Sequence, residues 1–217
     1  NSSRFARASA AKLCPNMTDK SALIQPDKGQ PAIAIHLVSK SSLPEWLKSL
    51  NPQQRAALAA QKFEGGGNEV GIVPEGDGWF AVGGVANPDS LSTWCLAKLA
   101  EALPAGTYRQ VGCEAGAALL GWATGQYRFD RYRSDLEAHG PRILLTSEVK
   151  AIGPGLAEAV ATNWVRDLVN TPAEDLGPAE LEAAAEGLTK AHPAQLRVTR
   201  GDALERDYPM VHMVGRA

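Results

Sequence analysis

Short apolar runs alternate with amphipathic stretches over about residues 30–150, which is the pattern of an α/β domain. The runs rich in β-branched and aromatic residues are predicted strands: Pro31–Val38, Glu69–Pro74, Trp79–Val85, Tyr108–Gly112 and Arg142–Thr146. The amphipathic stretches between them are predicted helices: Leu43–Leu50, Pro52–Phe63, Ser90–Leu103 and Glu114–Phe129. The alternation therefore predicts a mixed sheet with helices on both faces.

Turn and capping residues support these assignments. The sequence Gly76-Asp77-Gly78 lies between two predicted strands and indicates a β-hairpin. Asn51 is suited to cap the second helix, Pro52 fits its first position, and Asp89 is expected to cap the third helix. Each of these signals marks an element boundary.

Two of the predicted helices carry faces that should meet the core. Leu91, Cys95 and Leu99 form one stripe of the third helix, so Cys95 is expected to act as a small core hydrophobe. The fourth helix carries small residues that should permit close packing against the sheet: Gly116, Ala117, Gly121 and Gly125.

A longer helix is predicted from about Gly155 to Asn170, where Thr171-Pro172 ends it. One apolar stripe is accompanied by a second: Leu156, Val160, Trp164 and Leu168, beside Ala157, Ala161, Val165 and Val169. Such a wide face implies burial from two sides, as in a helix that connects two domains.

The last part of the chain continues the alternation. A helix is predicted at Ala179–Lys190, with Pro178 in its first turn, and a strand at Gln195–Thr199. Gly201-Asp202 indicates a turn, and Tyr208–Ala217 indicates the start of another element.

Composition excludes several classes of protein. With 44% hydrophobic and 21% charged residues and a formal charge of −2 over 217 residues, the chain is of the ordinary globular type. No basic run with interleaved aromatics indicates a nucleic-acid partner, and apolar stretches such as Ala115–Leu120 are far shorter than the roughly 20 residues of a membrane span. Three cysteines without C-x-x-C spacing indicate neither disulfides nor a zinc ribbon, which favours the cytoplasm.

Residues 1–16 (NSSRFARASAAKLCPN) lack strand or helix periodicity, and Met17 opens a plausible reading frame. The segment is interpreted as a non-native or disordered extension, with a transit peptide as the alternative because it is basic, rich in Ser and Ala, and free of acidic residues.

Three features have candidate chemistry, each beside a structural interpretation that we favour. His36 lies alone in a strand, without further ligands at metal spacing, and is expected to be a packed residue. Cys113 is predicted at a helix start, where a dipole lowers a thiol pKa, but no base is identifiable near it in sequence. The glycines of Gly65–Gly67 and Gly83-Gly84 could approach a phosphate, yet no full G-x-G-x-x-G is present and turns or close packing are expected.

Three stretches in order along the chain carry a resemblance to a known family. They are Leu120–Arg133 (LGWATGQYRFDRYR), Arg166–Leu181 (RDLVNTPAEDLGPAEL) and Tyr208–Ala217 (YPMVHMVGRA). Each is similar to a segment of the leucyl aminopeptidase family, and the second resembles its domain-junction motif. The chain therefore resembles the N-terminal part of a leucyl aminopeptidase, while residues 17 to about 115 match only in general pattern.

The resemblance implies a macro-domain-like mixed sheet with helices on both faces, followed by a connecting helix and the beginning of an α/β catalytic domain. It implies these divisions: residues 17–150 as the N-terminal domain, 151–170 as the connecting helix, and 171–217 as the incomplete start of the peptidase domain. The full-length parent is expected to be a cytoplasmic homohexameric metallopeptidase. Such a hydrolase removes N-terminal residues from peptide substrates with two divalent metal ions, Mn or Zn.

The family's metal ligands lie on two segments that do not occur within residues 1–217. We therefore predict no catalytic, cofactor-binding or metal-binding residue in this chain, and predict that the chain alone is inactive. Asp167, Asp175, Asp202 and Asp207 are expected to cap helices or face solvent instead. This portion is expected mainly to organise domain packing and the oligomer. The alternative is a stand-alone macro-like domain that binds a nucleotide or ADP-ribose through the glycines.

Overall fold

The structure, a computed structural model, describes residues 23–133 and 140–216, so the predicted extension at residues 1–16 lies outside the described residues. The strands of this part are β1 (Ile24–Pro26), β2 (Ile33–Val38), β3 (Val70–Glu75), β4 (Gly78–Gly84), β5 (Gly106–Val111) and β6 (Arg142–Thr146). Its helices are α1 (Leu43–Trp46), α2 (Pro52–Ala60), α3 (Ala97–Ala102), α4 (Ala118–Gly125), α5 (Val149–Asn170), α6 (Pro178–Ala191), α7 (Gly201–Asp207) and α8 (Pro209–Gly215).

The six strands form one mixed sheet in the order β1-β6-β5-β2-β4-β3. Neighbouring strands are parallel, except that β3 and β4 form the predicted antiparallel hairpin around Gly76. The predicted α/β class is confirmed. β1 was not predicted, because three residues are too few to show a period.

Helices cover both faces of the sheet, as predicted. Side chains alternate between the faces of a strand, so neighbouring residues of β4 join different cores. Phe80 and Val82 pack with Leu58 of α2, whereas Ala81 packs with Leu99 of α3 and Trp122 of α4. α1 and α2 thus lie on one face, and α3 and α4 on the other.

The capping prediction for α2 is confirmed, and that for α3 is wrong. Asn51 and Gln54 form a reciprocal capping box, with Pro52 in the first turn of α2. α3 begins only at Ala97, because residues 93–96 form turns, and Asp89 instead donates its backbone N–H to Asn87 Oδ1 at 3.0 Å. Cys95 nevertheless packs against the core beside Leu99.

The fourth predicted helix is shorter than expected and packs on a different neighbour. α4 spans Ala118–Gly125 rather than Glu114–Phe129. A Cβ atom placed on Gly121 would lie 2.1 Å from the Thr93 carbonyl oxygen, and one on Gly125 would lie 2.3 Å from that of Ala97. These two glycines therefore allow α4 to pack closely against the backbone at the start of α3. The prediction that they pack against the sheet is wrong.

The described residues divide after Arg166 into two compact units. The first, residues 23–166, holds the sheet, α1–α4 and most of α5. α5 begins at Val149, six residues before the predicted start, and includes Pro154. Its first apolar stripe is half-buried and its second is exposed, so the described residues do not bury this helix from two sides.

In the second unit, residues 167–216, the regular elements are helices, and the expected strand is not found among the described residues. The predicted strand Gln195–Thr199 is wrong, because these residues adopt no regular structure and pair with no strand among the described residues. The predicted turn at Gly201-Asp202 is the first turn of α7, and the expected element after Tyr208 is α8. Within the described ranges, no helix is both long and apolar enough to cross a membrane.

Candidate functional site

A cavity of about 400 Å³ opens at the carboxyl ends of β1, β5 and β6. These strands are parallel, so the residues that follow them meet at one edge of the sheet, where α/β folds commonly bind ligands. Its polar lining consists of Asp27, Arg109, Gln110, Glu114, Thr146 and Ser147, together with Cys113.

An ion pair forms one wall of this cavity. Arg109 donates from Nε to Asp27 Oδ2 at 2.6 Å and from Nη2 to Asp27 Oδ1 at 2.9 Å, and Nη2 also donates to the Gln30 carbonyl at 2.7 Å. These bonds hold the β1–β2 connection against the sheet. Hydrogen bonds from the Arg109 guanidinium and the Gly29 N–H lower the pKa of Asp27 to about 2.

Cys113 lies in this cavity but not at a helix start, because α4 begins five residues later at Ala118. The Gln110 side-chain amide donates to Cys113 Sγ at 2.8 Å, and Ser147 Oγ donates to Glu114 Oε1 at 2.5 Å. An amide cannot accept a proton from a thiol at neutral pH. These contacts provide no nucleophile–base pair of the kind that covalent catalysis needs.

A second cavity of about 580 Å³ lies at the carboxyl ends of β2 and β4. Ser39, Ser41 and Ser42 line it, and they hydrogen-bond to one another: the Ser39 N–H donates to Ser42 Oγ at 2.8 Å, and the hydroxyls of Ser39 and Ser41 are 2.9 Å apart. The hydroxyls thus have partners within the loop itself.

His36 is a packed residue, as predicted. Its ring lies edge-on to Phe80, with centroids 5.0 Å apart, and 5.9 Å from the Trp46 ring. Burial lowers the pKa of the His36 imidazole, so the neutral form is favoured among these aromatic rings.

The two glycine clusters pack against each other. A Cβ atom on Gly84 would lie 1.9 Å from the Gly66 carbonyl oxygen, and the backbone of Gly84 is hydrogen-bonded to Glu69 and Asn68. Gly65 adopts a positive φ of 72°. The glycines serve this close backbone approach, which leaves the nucleotide or ADP-ribose alternative without support.

The described residues bring together no group of three or more His, Cys, Asp or Glu side chains that could hold a metal ion, so they do not fit the two-metal site that the resemblance implies. The four aspartates that the sequence excluded as metal ligands lie in three places: Asp167 in α5, Asp175 between α5 and α6, and Asp202 with Asp207 in α7. Asp202 and Asp207 are exposed on α7, where Asp207 pairs with Arg206 at 2.8 Å, and the Asp167 carbonyl accepts a hydrogen bond from Thr171.

Two of the three stretches that resemble the leucyl aminopeptidase family are in contact at the end of α4. Arg166 Nη1 donates to the Thr124 carbonyl at 2.9 Å, and its guanidinium lies 5.5 Å from the centre of the Tyr127 ring. Thr124 and Tyr127 belong to Leu120–Arg133, and Arg166 opens the junction stretch. The contact therefore holds this part of α5 against the end of α4.

The described residues form a mixed α/β domain, with one six-stranded sheet and an apolar core on each face of that sheet. A family model for the M17 aminopeptidase N-terminal domain matches residues 33–144. The chain therefore belongs to the M17 aminopeptidase family.

Individual relatives agree with this assignment. The chain is 37% identical over 108 residues to a probable cytosol aminopeptidase of Rhodococcus erythropolis, an alignment that covers 43% of this chain and 21% of the relative. The solved cytosol aminopeptidase of Coxiella burnetii is 26% identical with a TM-score of 0.68, over 90% of this chain and 43% of that one.

A further solved structure shares the fold. The bottromycin maturation enzyme BotP, solved in complex with Mn, matches with a TM-score of 0.59 at 24% identity, over 85% of this chain and 40% of that one. The chain thus spans less than half the length of each of these relatives.

Proposed function

We propose that this chain is the N-terminal portion of a cytoplasmic leucyl aminopeptidase, whose full-length form removes N-terminal residues from peptides. The observation that carries the proposal is the match of residues 33–144 to the M17 N-terminal domain. The Coxiella burnetii cytosol aminopeptidase, which aligns with 90% of this chain, supports it.

Within that protein, the proposed role of this portion is to organise domain packing and a homohexamer. Residues 17–150 form the N-terminal domain, residues 151–170 the connecting helix, and residues 171–217 the start of the peptidase domain. The bond from Arg166 to the Thr124 carbonyl supports a positioning role for the helix, because it fixes the helix direction before the junction.

The metal ions of the full-length enzyme, Mn or Zn, are proposed to bind residues that this chain does not contain. A Mn-containing structure among the neighbours supports a metal-dependent activity for the family fold. The 217-residue chain is accordingly proposed to be inactive alone.

The test is an assay of the purified 217-residue chain with leucine p-nitroanilide and added Mn²⁺ or Zn²⁺. We expect no turnover above a preparation from the same host that lacks the chain. Turnover that rises in proportion to the concentration of the chain would contradict the proposal of inactivity. If full-length protein containing this sequence also fails to hydrolyse the substrate, the proposed aminopeptidase activity is wrong.

A further inference from the structure

The outer edge of β3 is covered by two side chains, one from α2 and one from the residue that follows α2. Among the described residues, β3 is the last strand of the sheet, and it pairs with β4 on one side only. In an antiparallel pair, alternate residues direct their N–H and C=O groups away from the neighbouring strand. Such an edge is a template on which another strand can pair.

Gln61, the residue that directly follows α2, lies at the middle of this edge. Its Oε1 accepts a hydrogen bond from the Ile72 N–H at 2.9 Å, and its Nε2 donates to the Ile72 carbonyl at 2.8 Å. One amide side chain therefore makes both bonds that a residue of a neighbouring strand would make. A third bond, from Nε2 to the Ala57 carbonyl at 2.9 Å, holds the amide in place.

The next outward-facing residue of β3, Pro74, also has no backbone group free to pair with another strand. Pro74 has no N–H to offer, and its carbonyl accepts a hydrogen bond from Gln54 Nε2 at 3.1 Å. Gln54 is buried and is fixed by its capping bonds with Asn51. Both glutamines are thus oriented by their own helix toward the strand.

Without these caps, β3 would be suited to self-pairing. Residues 70–74 carry no charge, and the Ile72 side chain is 39% exposed. The opposite edge of the sheet differs, because β1 is only three residues long and offers little to pair with.

We propose that Gln61 guards the β3 edge, and that removing its amide lets the chain dimerise by antiparallel pairing of β3 with β3 of a second copy. In the paired state, Ile72 lies opposite Ile72 of the other copy and exchanges two hydrogen bonds with it. The Val70 N–H of each copy reaches the Pro74 carbonyl of the other when Gln54 releases it. The proposal concerns this edge alone and does not depend on aminopeptidase activity.

The test variant is Gln61→Ala in the full chain. We expect the association constant measured by sedimentation velocity to rise by about tenfold or more, because two backbone groups become free to pair. We also expect hydrogen exchange at the Ile72 amide to slow as protein concentration increases, since pairing protects that amide. In the unchanged chain, this exchange should be independent of concentration.

Three further variants separate edge pairing from general damage. Gln53→Ala removes an exposed glutamine from the same helix and should associate as the unchanged chain does. Gln61→Lys/Ile72→Lys adds charges to an uncapped edge and should also remain unassociated. Gln61→Leu keeps the side-chain size without the amide and should behave as Gln61→Ala, which covers the case in which the alanine variant does not fold.

An association constant unchanged in both Gln61→Ala and Gln61→Leu would overturn the proposal. The proposal would also be overturned if these variants associated but hydrogen exchange at the Ile72 amide did not slow as the protein concentration increased.

Discussion

The two units of the chain differ in how their apolar side chains are covered. In residues 23–166, the large side chains of Tyr108, Trp122 and Leu144 have 0% of their surface exposed. In residues 167–216, Val169, Met210 and Val214 are 78%, 83% and 80% exposed. The first unit completes two cores, one on each face of its sheet, whereas the second presents apolar residues to solvent.

The difference follows from the type of secondary structure in each unit. A sheet with helices on both faces buries apolar side chains on both sides of every central strand. α7 and α8 are only seven residues each, and they follow an irregular segment at residues 194–200. Isolated helices of this length are marginal in water without tertiary packing. Stability should therefore be concentrated in residues 23–166.

The largest effect is expected from Trp122→Ala. The indole is fully buried, lies 5.7 Å from the Tyr108 ring and donates to the Arg142 carbonyl at 3.0 Å. Truncating a buried aromatic side chain in this way costs about 3–5 kcal/mol of unfolding free energy. Urea denaturation measures the change, and Trp94→Ala, at a side chain that is 52% exposed, is the control. If both variants lost the same unfolding free energy, Trp122 would not belong to the buried core.

A smaller, pH-dependent effect is expected from Asp27→Asn. The pKa of Asp27 is lowered from 3.8 to about 2 by its bonds to Arg109 and Gly29, so the folded state favours the carboxylate. This contribution to stability is present above pH 4 and is lost as the pH falls from about 4 to 2. The unchanged chain should therefore lose more stability over that interval than Asp27→Asn does.

Denaturation curves recorded across this interval measure the difference. Asp77→Asn, in the β3–β4 turn, controls for the loss of one carboxylate. If the unfolding free energies of the unchanged chain and Asp27→Asn fell by the same amount between pH 4 and pH 2, the ion pair next to β1 would not be stabilising.

The smallest effect is expected in the second unit. Met210→Ala removes most of a side chain that is 83% exposed, so it should change the unfolding free energy by less than about 0.5 kcal/mol. The same denaturation experiment measures it. A loss comparable to that of Trp122→Ala would mean that α8 belongs to a packed core, and the contrast between the units would fail.

The sequence predicted the sheet unit well because its strands carry their own signals. β6 has the predicted bounds, Arg142–Thr146, since a five-residue apolar run is the whole strand. β1 escaped prediction because a strand of three residues is defined by its pairing with β6 and not by any pattern of its own. The pair of Asp27 and Arg109 was also missed, since only the strand order brings together residues so distant in sequence.

The wrong and missed predictions concern features that a local pattern does not determine. Gln195–Thr199 alternates in the manner of a strand, but a strand needs a neighbour to satisfy its backbone, and none is paired with it among the described residues. Cys113 was assigned to a helix start because the sequence does not show how far turns extend before α4. The Gln61 cap gave no sequence signal, because a glutamine at the end of a helix is ordinary.

Hydrogen exchange across the whole 217-residue chain tests the contrast between the units most directly. Amides of β2, β4, β5 and β6 should exchange slowest, on the timescale of global unfolding, whereas those of residues 194–200 and of α7 and α8 should exchange through local opening at far lower free energy. Protection of residues 195–199 and of α8 equal to that of β4 would contradict the account, because it would require paired strands and a closed core in the second unit.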